Sequence, residues 1–485
     1  MRQLSGQDAS FLYFETSNAP MHIGSVSIYD QSTAPGGKVG FKQIMAHIEN
    51  RLHMGYAFRR KIQRVPFDMD HPYWVDDPDF DLEFHVRHIA LPKPGDWRQL
   101  CIQVARLHSR PLDEQHPLWE LYVIEGLDNV EGVPPGSFAL MMKIHHAAVD
   151  GVSGTELTTA LHDLTAEPAS IEAEPWLPKS PPSPEELVFR ANMTNLMQPL
   201  RFAELLSRTM PAMASAAPLM RQQNSDVPRT RFNGTVGRHR VWDARKFPLA
   251  SFRSAKAIIP DATVNDSVLT VVGGALRRYL LDKDELPEKP LLAMAPISVR
   301  SNDEKGDQGN QVAAMTVALG TDIDDPIERL HAVRSSTSAS KELTNAIGAR
   351  LMTDYTQFIP SATAAIAARV YSEQGMANRT DPAVNCVVTN VPGPQVPLYM
   401  CGSKLLAQYG MGPIQDGMGL IHAVFSYCGE VMLSATASRD RMPDPAFYAE
   451  CLQDSHDEFV AATTGGNGSG SAKARSGTRK ATVRS

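Results

Sequence analysis

The chain lacks most of the features that would place it in a specialised class. Its 485 residues hold five cysteines, Cys101, Cys386, Cys401, Cys428 and Cys451, scattered without paired spacing. They outline no disulfide framework and fit reduced thiols in a cytoplasmic compartment. No apolar run approaches the ~20 residues of a membrane-spanning helix. The N-terminus, Met-Arg-Gln-Leu-Ser-Gly-Gln-Asp-Ala-Ser, has no apolar signal core. A basic excess is also missing: the formal net charge of −7 argues against nucleic acid as a partner and leaves room only for a local basic patch. What remains, 42% hydrophobic and 21% charged residues, is the balance of a soluble globular protein. At this length the chain suggests two domains, each able to bury a core.

The stretch richest in chemical signal runs from Ser137 to Gly154, Ser-Phe-Ala-Leu-Met-Met-Lys-Ile-His-His-Ala-Ala-Val-Asp-Gly-Val-Ser-Gly. An apolar strand runs into two adjacent histidines, and Asp150-Gly151 makes a turn four residues past the second. Neighbouring residues on a strand face opposite sides, so His145 and His146 cannot both reach one substrate atom. One is the working imidazole, the other packs or orients. An imidazole titrates near neutrality and can take a proton from an alcohol or thiol and return it to a leaving group. Ser153 and Glu156 form a capping box ahead of Leu157, Leu161 and Leu164, which starts a helix. A zinc site is disfavoured because adjacent strand histidines diverge. A serine nucleophile is disfavoured because Gly151-Val152-Ser153-Gly154 lacks the Gly-x-Ser-x-Gly spacing. No metal is expected.

Around this stretch the chain reads as alternating strands and helices. Strands are expected over His22–Tyr29, Pro72–Val75, Phe80–Arg87 and Leu121–Ile124, and helices over Phe41–Leu52 and Trp97–Ser109. The cluster Arg59, Arg60, Lys61 and Arg64 is either a solvated face or a site for phosphates. Trp119 is either structural or lines an acyl pocket. Prolines 168, 175, 178, 181, 182 and 184 mark an extended linker, after which Ser183-Pro184-Glu185-Glu186 caps a helix with Phe189, Met193, Leu196 and Met197 as its apolar stripe. This crossover either packs across both domains or offers an adaptable apolar surface to lipid. Beyond it, Thr263-Val-Asn-Asp266 opens a strongly periodic helix, Leu291–Ile297 is a buried strand ending at Ser298-Val299-Arg300, and Arg300 wants a carboxylate partner such as Asp150. Gly309-Asn310-Gln311 leads into a further strand, and Val384–Val391 ends in Pro392-Gly-Pro394. A hairpin joins Leu420–Tyr427 to Val431–Ala437, and Asp444-Pro445 starts a last helix. From Thr463 the tail is Gly, Ser and Ala with Lys and Arg, disordered on composition and either solubilising or attracted to anionic headgroups.

His145-His146-x-x-x-Asp150-Gly151 resembles the signature of the acyltransferase superfamily of chloramphenicol acetyltransferase, carnitine acyltransferases and peptide-synthetase condensation domains. Pro117-Leu118-Trp119, Asn265-Asp266 and Asn390-Val-Pro-Gly-Pro394, in that order, are similar to the bacterial wax ester synthase/diacylglycerol acyltransferase branch. The resemblance covers Leu4 to about Phe459. It implies an α/β fold of two chloramphenicol-acetyltransferase-like halves with mixed sheets and an active-site tunnel between them. The halves would be 1–165 and 231–462, with the linker and crossover at 166–230 and the tail at 463–485. It implies direct transfer from long-chain acyl-CoA, a co-substrate rather than a cofactor, to a fatty alcohol or diacylglycerol, with His146 as general base, His145 supporting and Asp150 and Gly151 shaping the loop. By the same resemblance Asn265, Asp266, Asn390, Trp119 and Asn310 lie towards substrate, Asn265 and Asn310 being candidate donors to the oxyanion. Two other readings stand beside it: a superfamily enzyme with a different acceptor, and a non-catalytic acyl-lipid binder at inclusion surfaces. For the enzyme, peripheral attachment to the inner membrane face or to lipid inclusions is the expected location.

Overall fold

The structure is a computed structural model that describes residues 1–55, 57–149, 160–167, 171–197, 227–298, 312–347 and 370–465. Two six-stranded sheets organise it. The first has the spatial order Tyr399–Met400, Ser403–Met411, His22–Asp30, Phe138–His145, Trp119–Glu125, Val86–Ala90. Neighbours are antiparallel except Val86–Ala90, which runs parallel to Trp119–Glu125. The second has the order Val312–Ala318, Leu292–Ser298, Cys386–Pro392, Leu420–Tyr427, Glu430–Ser438, Arg240–Pro248, with Cys386–Pro392 parallel to both its neighbours. Both sheets are therefore mixed, as expected. The strand Phe138–His145 reads as a near-continuous apolar run because it is central and covered on both faces; only Met142 is less than fully buried.

Each sheet carries its own apolar core. In the second half the helices Val264–Asp282, Pro326–Ile347 and Pro445–Thr464 pack together over the sheet, and Val268, Val271, Val272, Leu276 and Tyr279 bury the periodic face of the first of them. The expected division at residue 230 does not separate the sheets. Ser403–Met411, from the C-terminal part, pairs along His22–Asp30 and brings Leu405, Ala407 and Tyr409 into the first core. Gly410 sits where the two halves meet. Its carbonyl accepts from Trp242 Nε1 at 3.2 Å and Ser434 Oγ at 2.6 Å, and a Cβ there would lie 2.6 Å from Phe425 Cε2, so only glycine allows this approach. A third cluster, smaller than the two cores, marks the seam: Phe11, Ala19 and Met21 of the first half pack with Val236, Met294, Val387, Ile414 and Ile421.

Two expectations change at the level of elements. Phe80–Arg87 is not one strand. Asp81 accepts a bond from Glu83 N–H and caps a short helical turn over Leu82–His85 before the strand Val86–Ala90 begins. The helix after Ser183 forms as expected, with Ser183 Oγ accepting from Glu186 N–H at 3.2 Å, but it buries a different face. Leu187 and Ala191 pack on Val65, Tyr73 and Val75, whereas Phe189, Met193, Leu196 and Met197 are 67%, 51%, 72% and 44% exposed. The linker before it is extended and pinned to the first half: Trp176 Nε1 donates to the Asp77 carbonyl and Gln63 Nε2 to that of Pro182.

Candidate active site

The strand Phe138–His145 ends where the halves meet. His145 N–H donates to the Leu118 carbonyl at 2.9 Å and His146 N–H to the Met21 carbonyl at 2.8 Å, so the chain is tied to both flanking strands as it leaves the sheet. A 3-10 turn, His146–Ala148, follows.

The two rings have different surroundings, as strand alternation requires. His145 is 1% exposed and lies opposite His22 in the strand register, on the face that also carries the buried Lys143–Glu120 pair. Its Nδ1 accepts from Ala147 N–H at 3.0 Å, so the ring proton is on Nε2, which donates to Glu15 Oε2 at 2.7 Å. Both nitrogens are used. His146 instead lies against Phe11 of the seam, ring centroids 3.8 Å apart and planes 12° from parallel. Its Nδ1 is buried with no partner among the described residues. Burial, with a smaller contribution from His145, holds its pKa down at about 4, so the ring is neutral at physiological pH.

Residues 4–268 match the model of the wax ester synthase/diacylglycerol acyltransferase catalytic domain, and residues 308–459 match the C-terminal domain of the same proteins. The chain belongs to this family. It is an acyltransferase. A putative diacylglycerol O-acyltransferase of Mycobacterium tuberculosis is 32% identical over 449 residues, 92% of this chain and 87% of that protein. The wax ester synthase/diacylglycerol acyltransferase of Marinobacter aquaeolei superimposes with a TM-score of 0.66 at 25% identity, over 95% of this chain and 100% of that one. The starter condensation domain of rhizomide synthetase, at 11% identity and a TM-score of 0.53 over 96% and 94% of the two chains, shares the fold.

Within this acyltransferase fold the other expected site residues separate. Asn265 and Asn390 come together: Asn390 Nδ2 donates to Asn265 Oδ1 at 3.3 Å, and neither bonds to the histidine pair. Asp266, though adjacent, is a cap. It is 0% exposed; its Oδ2 accepts from Thr263 N–H and Oγ1 at 2.8 and 2.7 Å, and its Oδ1 from Thr337 Oγ1 at 2.7 Å. With both oxygens engaged it serves the helix start. Trp119 is packed in the first core: it is 1% exposed, its Nε1 donates to the Phe58 carbonyl at 3.0 Å, and His85 stacks on it at 4.5 Å, which favours the structural reading of it. Asp150, Gly151, Ser153, Arg300 and Asn310 lie outside the described residues.

Three of the four residues of the basic cluster are in ion pairs. Arg60 meets Asp76 at 2.9 Å, Lys61 meets Asp77 at 2.8 Å and Arg64 meets Glu114 at 2.8 Å, while Arg59 lies over Trp176. These pairings favour the solvated-face reading of the cluster. Glu15 and Phe11, which touch the histidine pair, have no motif in the sequence. The one available cue is a carboxylate just past the last turn of the helix Gly6–Phe14, where the helix dipole disfavours it.

Proposed function

We propose that this acyltransferase moves a fatty acyl group from long-chain acyl-CoA to a long-chain alcohol or diacylglycerol, with His146 as general base. The observation that carries the reading is the neutral, half-buried His146 ring stacked on Phe11 at the seam of the halves, its Nδ1 without a side-chain partner among the described residues. His146 takes the proton of the acceptor hydroxyl as its oxygen attacks the thioester carbonyl. The tetrahedral intermediate collapses with cleavage of the C–S bond, and the imidazolium returns the proton to the departing thiolate, giving ester and free CoA. No cofactor and no acyl-enzyme are required. Asn265, whose Oδ1 accepts from Asn390, is the candidate donor to the oxyanion through its amide N–H groups.

The acceptors are nearly insoluble, and among the described residues no helix is long and apolar enough to cross a membrane. Peripheral attachment to a membrane or inclusion surface is the second part of the reading. It is supported by the exposed Phe189, Met193, Leu196 and Met197, and by Phe67, 90% exposed in the turn Pro66–Asp68. Asn195 Nδ2 bonds the Met69 carbonyl beside that turn.

Purified protein given palmitoyl-CoA with either hexadecanol or diacylglycerol tests the reaction through release of free CoA. Acceptor-dependent release with formation of the matching ester is expected. Release that ignores both acceptors, or none at all, would contradict it.

A further inference from the structure

Both histidines of the pair are touched by a single helix. In the helix Gly6–Phe14, Phe11 stacks on His146, and Glu15, at its C-terminal end, bonds His145. Four residues separate them, so they lie on one face of the same turn.

We propose that this first helix is the positioning element of the base, Glu15 selecting the tautomer of His145 and Phe11 setting the plane of the His146 ring. The proposal rests on the reading of His146 as base. A carboxylate only accepts, so Glu15 selects the tautomer with hydrogen on Nε2. That tautomer leaves Nδ1 as an acceptor, and Ala147 N–H uses it to close the His146–Ala148 turn. With the other tautomer, two N–H groups would face each other and the turn would lose its tie. Phe11 then fixes how the His146 ring projects from the turn, and its π face favours the imidazolium formed during transfer.

The helix is suited to hold both contacts still. Ser5 caps it through a bond from Asp8 N–H at 3.1 Å, Ala9 and Leu12 are buried in the first core, and Tyr13 OH bonds His71 Nδ1 at 2.8 Å. Glu15 has the wrong charge for a helix C-terminus. Its position is therefore explained by the histidine rather than by the helix.

The test uses the full chain carrying Glu15→Ala, Glu15→Gln, Phe11→Leu or Phe11→Tyr, with His146→Ala as control. The readouts are kcat and KM for palmitoyl-CoA, and ¹⁵N NMR of labelled histidine, which distinguishes the two ring tautomers. A base displaced by about an ångström loses roughly 10²-fold in rate, so Glu15→Ala should lower kcat by ~10- to 100-fold with little change in KM. The Nε2–H signature of His145 should give way to a mixture. Glu15→Gln, which can still present an oxygen, should recover most of the rate. Phe11→Leu should lower kcat and Phe11→Tyr restore it. Full kcat in Glu15→Ala and Phe11→Leu, or an unchanged His145 tautomer in Glu15→Ala, overturns the proposal. If His146→Ala is itself fully active, the reading of the base has failed instead.

Discussion

Asn390 reaches across 3.3 Å to Asn265, joining the end of the strand Cys386–Pro392 to the first turn of the helix Val264–Asp282. Asp266, the next residue, turns inward and is spent on the helix cap and on Thr337. Two adjacent residues of one motif thus do different work. Asn265→Ala should lower turnover with the unfolding midpoint unchanged. Asp266→Ala should cost about 1–3 kcal/mol of stability, since it strips a cap and leaves buried donors unpaired, while activity per folded molecule stays near wild type. Denaturant titration beside kcat on both variants checks the separation, and a purely catalytic defect in Asp266→Ala would reverse it.

Trp119 is expected to behave as a core residue. Trp119→Ala should destabilise by about 3–5 kcal/mol, the usual cost of emptying a buried aromatic site, and Trp119→Phe by much less. Acyl chain-length preference, measured with acyl-CoAs of graded length, should not move in Trp119→Phe. A shifted preference with an unchanged melting temperature would return Trp119 to the acyl pocket.

Local chemistry made the centre of this protein legible in its sequence. The histidine pair announces itself because a buried strand ending in His-His and a turn has few other uses, and the helix at Thr263 does so because its capping box and period agree. Contacts between distant segments have no such sign. Glu15 lies 130 positions from His145, and Ser403–Met411 joins the first sheet from between Cys386–Pro392 and Leu420–Tyr427, two strands of the second. The misread face of the helix after Ser183 has a related cause: Phe189, Met193, Leu196 and Met197 are the more apolar stripe, but the site that receives the helix is shaped for Leu187 and Ala191. In Phe80–Arg87, the cap at Asp81 outweighed the strand pattern.

Stability should fall steeply in mild acid. Burial holds His85, His146 and His422 down at about 4 and His108 at about 3, and also lowers His22 and His47. The unfolded chain binds protons at these sites below the ordinary value near 6.5, and the folded chain does so only at lower pH. Their contribution is fully present above about 6.5 and is lost as pH drops towards 4. The melting temperature should therefore be flat from pH 8 to 7 and decline between 6.5 and 4. A melting temperature unchanged from pH 7 to 5 would contradict the neutral buried histidines.

Surface attachment can be separated from turnover. Phe189→Ser with Leu196→Ser, both changes on exposed positions, should reduce flotation with vesicles at any salt. Deleting the basic tail after Thr464 should remove only the salt-sensitive part seen with anionic vesicles, because headgroup attraction is screened over ~8 Å at physiological ionic strength. Turnover of detergent-dispersed acceptor should survive both changes. Equal flotation of all three proteins would remove these surfaces from the account.

The central claim is that His146, not His145, moves the proton. Loss of a general base costs roughly 10²- to 10⁴-fold in rate, so His146→Ala should release CoA from palmitoyl-CoA and hexadecanol at that fraction of the wild-type kcat, with an unchanged melting temperature. Single-turnover CoA release by His146→Ala and His145→Ala, side by side at pH 7.5, is the most direct measurement. The account predicts near-abolition in the first and a lesser loss in the second; near-wild-type turnover in His146→Ala with abolition in His145→Ala would contradict it.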